Sequence, residues 1–143
     1  MRVWFAKYDK YFICEDGFQN CSIGGKIHGY SLKLRMPKYR GIPLSCIEEL
    51  HLKVDGIVVD PKDIDFCINN KRFKISELPV LYSEWWNVLD KAELYVEKKD
   101  GLQPGSHEVE VSMVRRETYM FREETQSFLR VPVKDKKQLV IGN

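Results

Sequence analysis

The feature that most constrains this fold is an alternation of apolar and polar residues with a period of two. From Tyr30 to Met36 an apolar side chain recurs at every second position. This alternation predicts a strand with one face in the core and the other in water. Residues 47–54 alternate in a similar way and end at Asp55-Gly56, a pair that tight hairpins favour. The first third of the chain therefore predicts antiparallel strands.

The same pattern continues along most of the sequence, with turn signals between the strands. Further strand-like runs cover residues 57–59, 64–68, 71–75, 91–97 and 106–114. Asn69-Asn70 supplies a second hairpin signal, and Gly24-Gly25 supplies another before the first strand. Strands at this spacing predict an all-β fold, an antiparallel β-sandwich of the immunoglobulin-like kind. With 143 residues, 43% of them hydrophobic, we expect a single domain spanning 1–143.

Two segments depart from the alternation. Residues 76–90 predict a short helical or irregular excursion, because several apolar residues there lie near helical spacing. Residues 116–143 predict a less regular tail that forms an interface. Within this tail, residues 128–133 are expected to be an edge strand because Pro132 cannot donate to a ladder, and residues 134–137 a solvated turn.

Composition excludes several classes of function. The 23 Lys and Arg residues nearly balance the 21 Asp and Glu residues, and no window holds a dense basic stripe. Neither nucleic acid nor an anionic membrane surface is therefore expected as a partner. The first ten residues lack the apolar run of a signal peptide, and no run is long enough to span a membrane. We expect a cytoplasmic protein.

No pattern of reactive residues forms a recognisable catalytic or metal-binding motif. The four cysteines do not have zinc-ligand spacing, and buried thiols are expected instead. His28, His51 and His107 lie far apart, the first two on predicted wet strand faces. The carboxylates lack an acid–base motif, so we expect no catalytic residue and no metal on this chain. A small self-sufficient hydrolase or lyase that uses scattered His and Glu residues stays open as an alternative.

Aromatic residues and an arginine are the stronger candidates for binding. Tyr39-Arg40 lies between Pro37 and Pro43, which restrict the backbone of this loop. Trp85-Trp86 lies in the 76–90 excursion. Tyr, Trp and Arg dominate interface hot spots, and Trp rings also stack on sugars. One structural alternative places one tryptophan in the core and leaves the other partly exposed. Another is a free-standing module that binds carbohydrate through both tryptophans.

Several of these segments occur in an order that resembles a known family. They are Gly17-Phe18-Gln19-Asn20, the stretch Tyr39-Arg40-Gly41-Ile42-Pro43-Leu44-Ser45-Cys46-Ile47-Glu48, Val54-Asp55-Gly56, Trp85-Trp86, and a Leu-x-Pro-Gly-x-His-x-Val-x-Val pattern beginning at Leu102. Together they resemble the β subunit of bacterial C-glycoside deglycosidases over roughly residues 12–121. The Arg-Gly-Ile-Pro-Leu-Ser piece is the most specific part.

The resemblance implies a role inside an enzyme complex. The family pairs this small sandwich with a barrel-fold α subunit that holds a divalent metal of the manganese type, and the αβ pairs are expected to assemble further. The complex cleaves the carbon–carbon bond between a 3-oxo-glucosyl group and a flavonoid-type aglycone. A base removes the sugar C2 proton, the metal stabilises the enolate oxygen, and a general acid or base acts on the aglycone phenol. Both the metal ligands and the base are attributed to the α subunit. As residues that contact the partner or wall the active site we name Tyr39, Arg40, Pro43, Trp85, Trp86, Tyr119 and Phe121.

Overall fold

The computed structural model describes residues 9–37, 40–122 and 127–142, without the side chains of 118–122 and 127–128. Short 3-10 helices cover Asp9–Tyr11, Leu44–Cys46, Pro61–Asp63 and Ile75–Val80. The strands within the described residues are β1 Gln19–Ile23, β2 Lys26–Arg35, β3 Ile42–Pro43, β4 Ile47–Val54, β5 Ile57–Val58, β6 Ile64–Ile68, β7 Lys71–Lys74, β8 Trp85–Trp86, β9 Lys91–Glu97, β10 Gly105–Arg122 and β11 Ser127–Ile141.

The strands form two main antiparallel sheets. One has the order β1-β2-β9-β6-β7 and the other the order β11-β10-β4-β5. The inward positions predicted by alternation, such as Leu32 and Leu34 on β2 and Leu52 on β4, are fully buried. They belong to one hydrophobic cluster that draws side chains from both sheets. The expected all-β sandwich is confirmed.

The predicted hairpin turns are present where their residues allow positive φ. Asp55 and Gly56 have φ of 53° and 79° between β4 and β5, and Asn69 and Asn70 have φ of 56° and 61° between β6 and β7. Two consecutive positive φ values match the twist of two-residue hairpins, and Asn, Asp and Gly adopt them at low cost. These turns set the strand registers and so decide which residues face the core.

The segment after residue 115 differs from the expected irregular tail. Strands β10 and β11 form one long antiparallel hairpin. β4 pairs with β10 as far as Arg115, and beyond that residue β10 pairs with β11 alone. Residues 116–122 and 127–130 therefore form a two-stranded arm with a register shift between Glu117 and Phe121, where a less regular tail was expected. The edge-strand prediction is confirmed, since β11 is the outer strand of its sheet.

The expected solvated turn at residues 134–137 is also strand, and it anchors the N-terminal segment. The Ile13 amide donates to Asp135 Oδ2 at 2.9 Å, and Lys137 Nζ donates to the carbonyls of Lys10 and Ile13. Ile13 also bridges to Leu34 of β2 in the other sheet. Residues 9–14 therefore connect the two sheets, and the charged side chains of β11 hold them in place.

At the end of the sandwich where β10 begins, His107 connects two loops. Its Nδ1 lies 2.7 Å from Asp55 Oδ2, and its Nε2 lies 2.6 Å from the Gln103 carbonyl oxygen. Both partners are acceptors, so the imidazolium form satisfies both contacts. Accordingly the hydrogen bond to Asp55, with the contact to Gln103, raises the pKa of His107, and the same bond lowers the pKa of Asp55.

This contact predicts a pH-dependent contribution to stability. A raised His107 pKa stabilises the fold below the unfolded pKa, and this stabilisation is lost as pH rises through the folded pKa. The lowered Asp55 pKa acts oppositely, because its contribution is lost as pH falls through the folded Asp55 pKa. The contribution is therefore greatest in the mildly acidic range, above the pKa of Asp55 and below that of His107. Urea unfolding across pH 5–9 should show the difference between wild type and His107→Gln shrinking as pH rises. Asp55→Asn should show a similar loss, and an unchanged difference at every pH would contradict the assignment.

Candidate functional site

The two candidate binding motifs, far apart in sequence, lie side by side in the structure. Residues 40–46 lead through β3 to the start of β4, and we call them the β3 loop. Strand β3 pairs with β8 in a small antiparallel sheet of its own. Ile42 is opposite Trp86, and Pro43 is opposite Trp85. The proline-bracketed loop and the tryptophan pair therefore form one local unit, which the sequence did not predict.

The two tryptophans have different environments. Trp86 is completely buried, and its ring lies edge-on to Phe66 with centroids 5.6 Å apart. Its Nε1 donates to the Asp90 carbonyl oxygen at 2.9 Å, so its polar atom is satisfied inside the protein. Trp85 is 41% exposed. The alternative with one tryptophan in the core is confirmed, and Trp86 has no surface with which to touch a partner directly.

Close packing against the tryptophan segment explains why the loop has a glycine at position 41. A Cβ atom at this position would lie 2.7 Å from the Trp86 carbonyl oxygen and 3.1 Å from Asn87 Cα. These atoms belong to the backbone and cannot move aside easily, so the close approach needs glycine. Arg40 precedes it and is exposed.

Hydrogen bonds to two neighbouring segments fix the position of Glu84, Trp85 and Trp86. Leu44 N donates to the Glu84 carbonyl oxygen at 2.8 Å. The Glu84 carboxylate in turn accepts from Lys71 Nζ at 2.6 Å, and Asn69 Nδ2 donates to the Trp85 carbonyl oxygen at 3.0 Å. The Lys71 contact holds the pKa of Glu84 below its ordinary value. The segment is thus anchored to both the β3 loop and the β6–β7 hairpin.

The segment that contains β8 carries several exposed apolar side chains, and we call this set the 80–89 surface. It consists of large hydrophobic side chains from ten consecutive positions: Val80, Tyr82, Trp85, Val88 and Leu89. Leu89 is 92% exposed and Tyr82 is 68% exposed. Single exposed hydrophobic residues are ordinary, but several in one segment indicate an interaction site. Of these residues only Trp85 is among the candidates predicted from the sequence, where Leu89 was noted only for its near-helical spacing with the tryptophans.

The base of the β10–β11 arm reaches the same loop. Glu48 accepts from Arg116 Nη1 at 3.1 Å and from Arg130 Nε at 2.9 Å. Arg116 Nη2 also donates to the Ser45 carbonyl oxygen at 3.3 Å, which connects the arm to the end of the β3 loop. Tyr119 lies farther along β10.

Some of the candidate residues lie outside what the structure describes. Phe121 is opposite Phe128 in the arm, but the description of this segment and of Tyr119 is limited to the backbone. Tyr39 lies outside the described residues. Of the candidates, the structure therefore brings together Arg40, Pro43, Trp85 and Trp86.

The positions of the His, Cys, Asp and Glu side chains show whether the described residues could form a metal site. In these parts of the chain, no group of three or more His, Cys, Asp and Glu side chains has the geometry to hold a metal ion. His28 and His51 are exposed on strand faces, as predicted. The four cysteines are free thiols. Across the described ranges, no helix has the length and apolar character needed to cross a membrane.

Comparison with known proteins places the chain in a family. The family described as C-glycoside deglycosidase beta subunit matches residues 8–119, a range that includes the β3 loop, both tryptophans and most of both sheets. The protein therefore belongs to this family.

Three relatives show how far the similarity extends. A 3'-dehydrocarminate deglycosidase beta subunit from a Microbacterium species is 34% identical over 64% of this chain and 69% of its own length. A C-glycoside deglycosidase beta subunit from Eubacterium cellulosolvens is 31% identical over 78% of this chain and 77% of its own. Another, from Microbacterium trichothecenolyticum, is 28% identical over 76% and 82%. The family name indicates a subunit of an enzyme complex.

Proposed function

We propose that this chain is the small, non-catalytic subunit of a C-glycoside deglycosidase complex and docks through the 80–89 surface. The observation that carries the proposal is the position of this surface. Its Trp85 lies opposite Pro43, in the Arg-Gly-Ile-Pro-Leu-Ser stretch that carries the resemblance to the family. A surface rich in exposed apolar and aromatic side chains is suited to a protein partner.

The proposed partner is a barrel-fold α subunit that holds a divalent, manganese-type metal and the general base. The proposed reaction is cleavage of the carbon–carbon bond between a 3-oxo-glucosyl group and an aromatic aglycone. Under this proposal the small subunit stabilises the α subunit and walls its active site. Further assembly of αβ pairs and a cytoplasmic location also belong to the proposal, and four free thiols are consistent with a reducing compartment.

The β3–β8 unit gives the docking surface a rigid base. Trp86 is locked in the core below it, while Trp85 and its exposed neighbours project from the same short segment. A surface held in one conformation before binding loses less entropy on association. Arg40 and Pro43 lie on the adjoining loop and are proposed as its rim. Tyr39, Tyr119 and Phe121 stay predictions for the same contact.

The test is assembly with an α subunit. The chain and a barrel-type protein encoded beside it are co-expressed, and we expect a stable complex that turns over a 3-oxo-C-glucoside. The double variant Tyr82→Asp/Leu89→Asp should weaken the complex about 100-fold in Kd, since it places two charges in a proposed hot spot. Both side chains are exposed, so the isolated variant should remain folded by circular dichroism.

Ile57→Asp is the matched control. Ile57 is 72% exposed on β5, away from the 80–89 surface, and its variant should assemble like wild type. Equal loss of assembly in both variants would contradict the docking site. Absence of any complex or turnover with wild type would contradict the subunit function itself.

The carbohydrate-binding alternative loses one of its two proposed stacking rings, because Trp86 is buried. Of the two tryptophans, only Trp85 is exposed enough to stack on a sugar. Under this alternative, the isolated wild-type chain would bind a sugar and the Trp85→Ala variant would not. Neither form would bind an α subunit measurably. The reactive-residue alternative predicts turnover by the isolated, metal-stripped chain, and we expect none.

A further inference from the structure

A cluster of three charged side chains lies at the base of the β10–β11 arm, and hydrogen bonds connect it to the 80–89 surface. Glu48 accepts from Arg116 and from Arg130 through its two different oxygens. Arg116 Nη2 donates to the Ser45 carbonyl oxygen at 3.3 Å, and the Ser45 amide donates to the Leu81 carbonyl oxygen at 3.2 Å. Leu81 belongs to the segment that forms the 80–89 surface. The cluster therefore adjoins the proposed docking surface.

This cluster places two positive charges opposite each other. In the β10–β11 hairpin, Arg116 is the cross-strand partner of Arg130. Like charges in such a pair destabilise a sheet. Within the described part of the chain, Glu48 is the carboxylate that pairs with both arginines, so the cluster keeps an excess of one positive charge. The side chains of Glu48, Arg116 and Arg130 are 25%, 28% and 49% exposed, so this charge lies at the surface.

The two arginines differ in what their guanidinium groups already bind. Arg116 donates from Nη1 to Glu48 and from Nη2 to Ser45, so it holds both residues in place. Arg130 uses only Nε, at 2.9 Å from Glu48 Oε1. Its Nη1 and Nη2 atoms form no hydrogen bond with any residue that the structure describes. One edge of the Arg130 guanidinium is thus fixed to the protein, whereas its two terminal nitrogens face solvent.

The geometry of the Arg130 guanidinium suits a carboxylate. Two parallel N–H groups on one planar fork match the two oxygens of an Asp or Glu side chain. The bond through Nε orients this fork before a partner binds, which reduces the entropy that a freely rotating side chain would lose. Arginine is also enriched in interface hot spots, together with exposed aromatic residues such as those of the 80–89 surface. A carboxylate at this position would neutralise the excess charge of the cluster.

We propose that Arg130 binds an Asp or Glu carboxylate of the α subunit, so that the docking interface has an apolar part, the 80–89 surface, and a charged part at the base of the arm. Arg116 is a positioning residue, because it acts by holding Glu48. This inference rests on the proposed subunit function and adds to it the chemistry of the partner surface. Neither arginine is among the candidates predicted from the sequence.

The experiment measures Kd of the αβ complex for wild type and for Arg130→Gln, at NaCl concentrations from about 50 to about 500 mM. At the lowest salt, Arg130→Gln should weaken the complex about tenfold, the effect of losing one charge-assisted contact. Salt screens such a contact, so Kd should rise with salt more steeply for wild type than for the variant. Arg130→Glu should weaken the complex further, because it places a negative charge opposite the carboxylate. Each isolated variant should keep the circular dichroism spectrum of wild type, since exposed ion pairs contribute little to stability.

Lys136→Gln is the matched control. Lys136 lies on the same strand about 20 Å from Arg130, its side chain is 53% exposed, and it contacts the carboxylate of Glu110. This variant loses the same charge as Arg130→Gln but should bind the α subunit like wild type. Equal weakening by the two variants would overturn the proposal, because net charge alone would then explain the attraction.

The double variant Tyr82→Asp/Leu89→Asp separates this inference from the docking surface. If that variant loses the complex while Arg130→Gln binds as tightly as wild type at low salt, the 80–89 surface stands and the role of Arg130 is overturned. If wild type forms no complex with the α subunit, the subunit function itself fails, and the inference about Arg130 fails with it.

Discussion

Trp86→Ala should lower the free energy of unfolding of this chain by about 3–5 kcal/mol, the cost of truncating a fully buried large aromatic residue. Trp86 has no exposed surface and packs against Phe66 and Phe12 at centroid distances of 5.6 and 6.5 Å. Its removal would leave a cavity in the core and an unpaired carbonyl at Asp90. Urea denaturation of the isolated chain at neutral pH measures the loss directly.

Trp85→Ala is the control one residue away. Its side chain is partly exposed on the 80–89 surface, so we expect a loss within about 1 kcal/mol, as for surface substitutions away from special features. Trp86→Phe should lie between the two, because it keeps an aromatic ring but loses the indole donor. Similar losses in Trp85→Ala and Trp86→Ala would show that the two side chains are not divided between surface and core. Trp85 would then lack the exposed position that the proposed docking surface requires.

This division could not be derived from the helical spacing seen in residues 76–90. On a strand, neighbouring side chains point to opposite faces. A two-residue strand such as β8 is enough to place Trp86 inward and Trp85 outward. Such a strand exists only because β3 pairs with it, as Ile42 opposite Trp86, across 43 intervening residues in the chain. Local sequence patterns contain no information about that pairing.

The long strands were predictable where both the alternation and the turn residues were local. The hairpin at Asp55-Gly56 carries its own conformational preference, so β4 and β5 followed from the sequence. For β10, the alternation in the sequence predicts a strand only as far as Val114, although the strand continues to Arg122. The reason is that the core-facing series Val109, Val111 and Met113 continues with Arg115 and Glu117. Charged residues at inward positions resemble a loop in sequence, although here they continue a strand.

Those two charged residues are buried next to each other. Arg115 Nη1 donates to Glu117 Oε2 at 2.7 Å, and their side chains are 3% and 8% exposed. Burial lowers the pKa of Arg115, while the charge of Glu117 acts in the opposite direction. A buried pair of this kind contributes little compared with apolar residues of similar size, but loss of one partner is costly because the other charge remains buried.

Glu117→Leu should therefore lower the free energy of unfolding by about 3–5 kcal/mol, as expected when one member of a buried ion pair is removed. The double variant Arg115→Met/Glu117→Leu should recover most of this loss, because neither charge then remains in the core. Urea denaturation of wild type, of Arg115→Met, of Glu117→Leu and of the double variant gives the coupling free energy directly.

If the loss in the double variant equals the sum of the losses in the two single variants, the pair is not coupled. Pairing with β11 alone would then explain why β10 continues beyond the end of its pairing with β4. If the double variant recovers, the inward positions of β10 require only compensated charge or apolar volume. The sandwich core would then extend by two inward positions beyond Met113, toward the base of the arm.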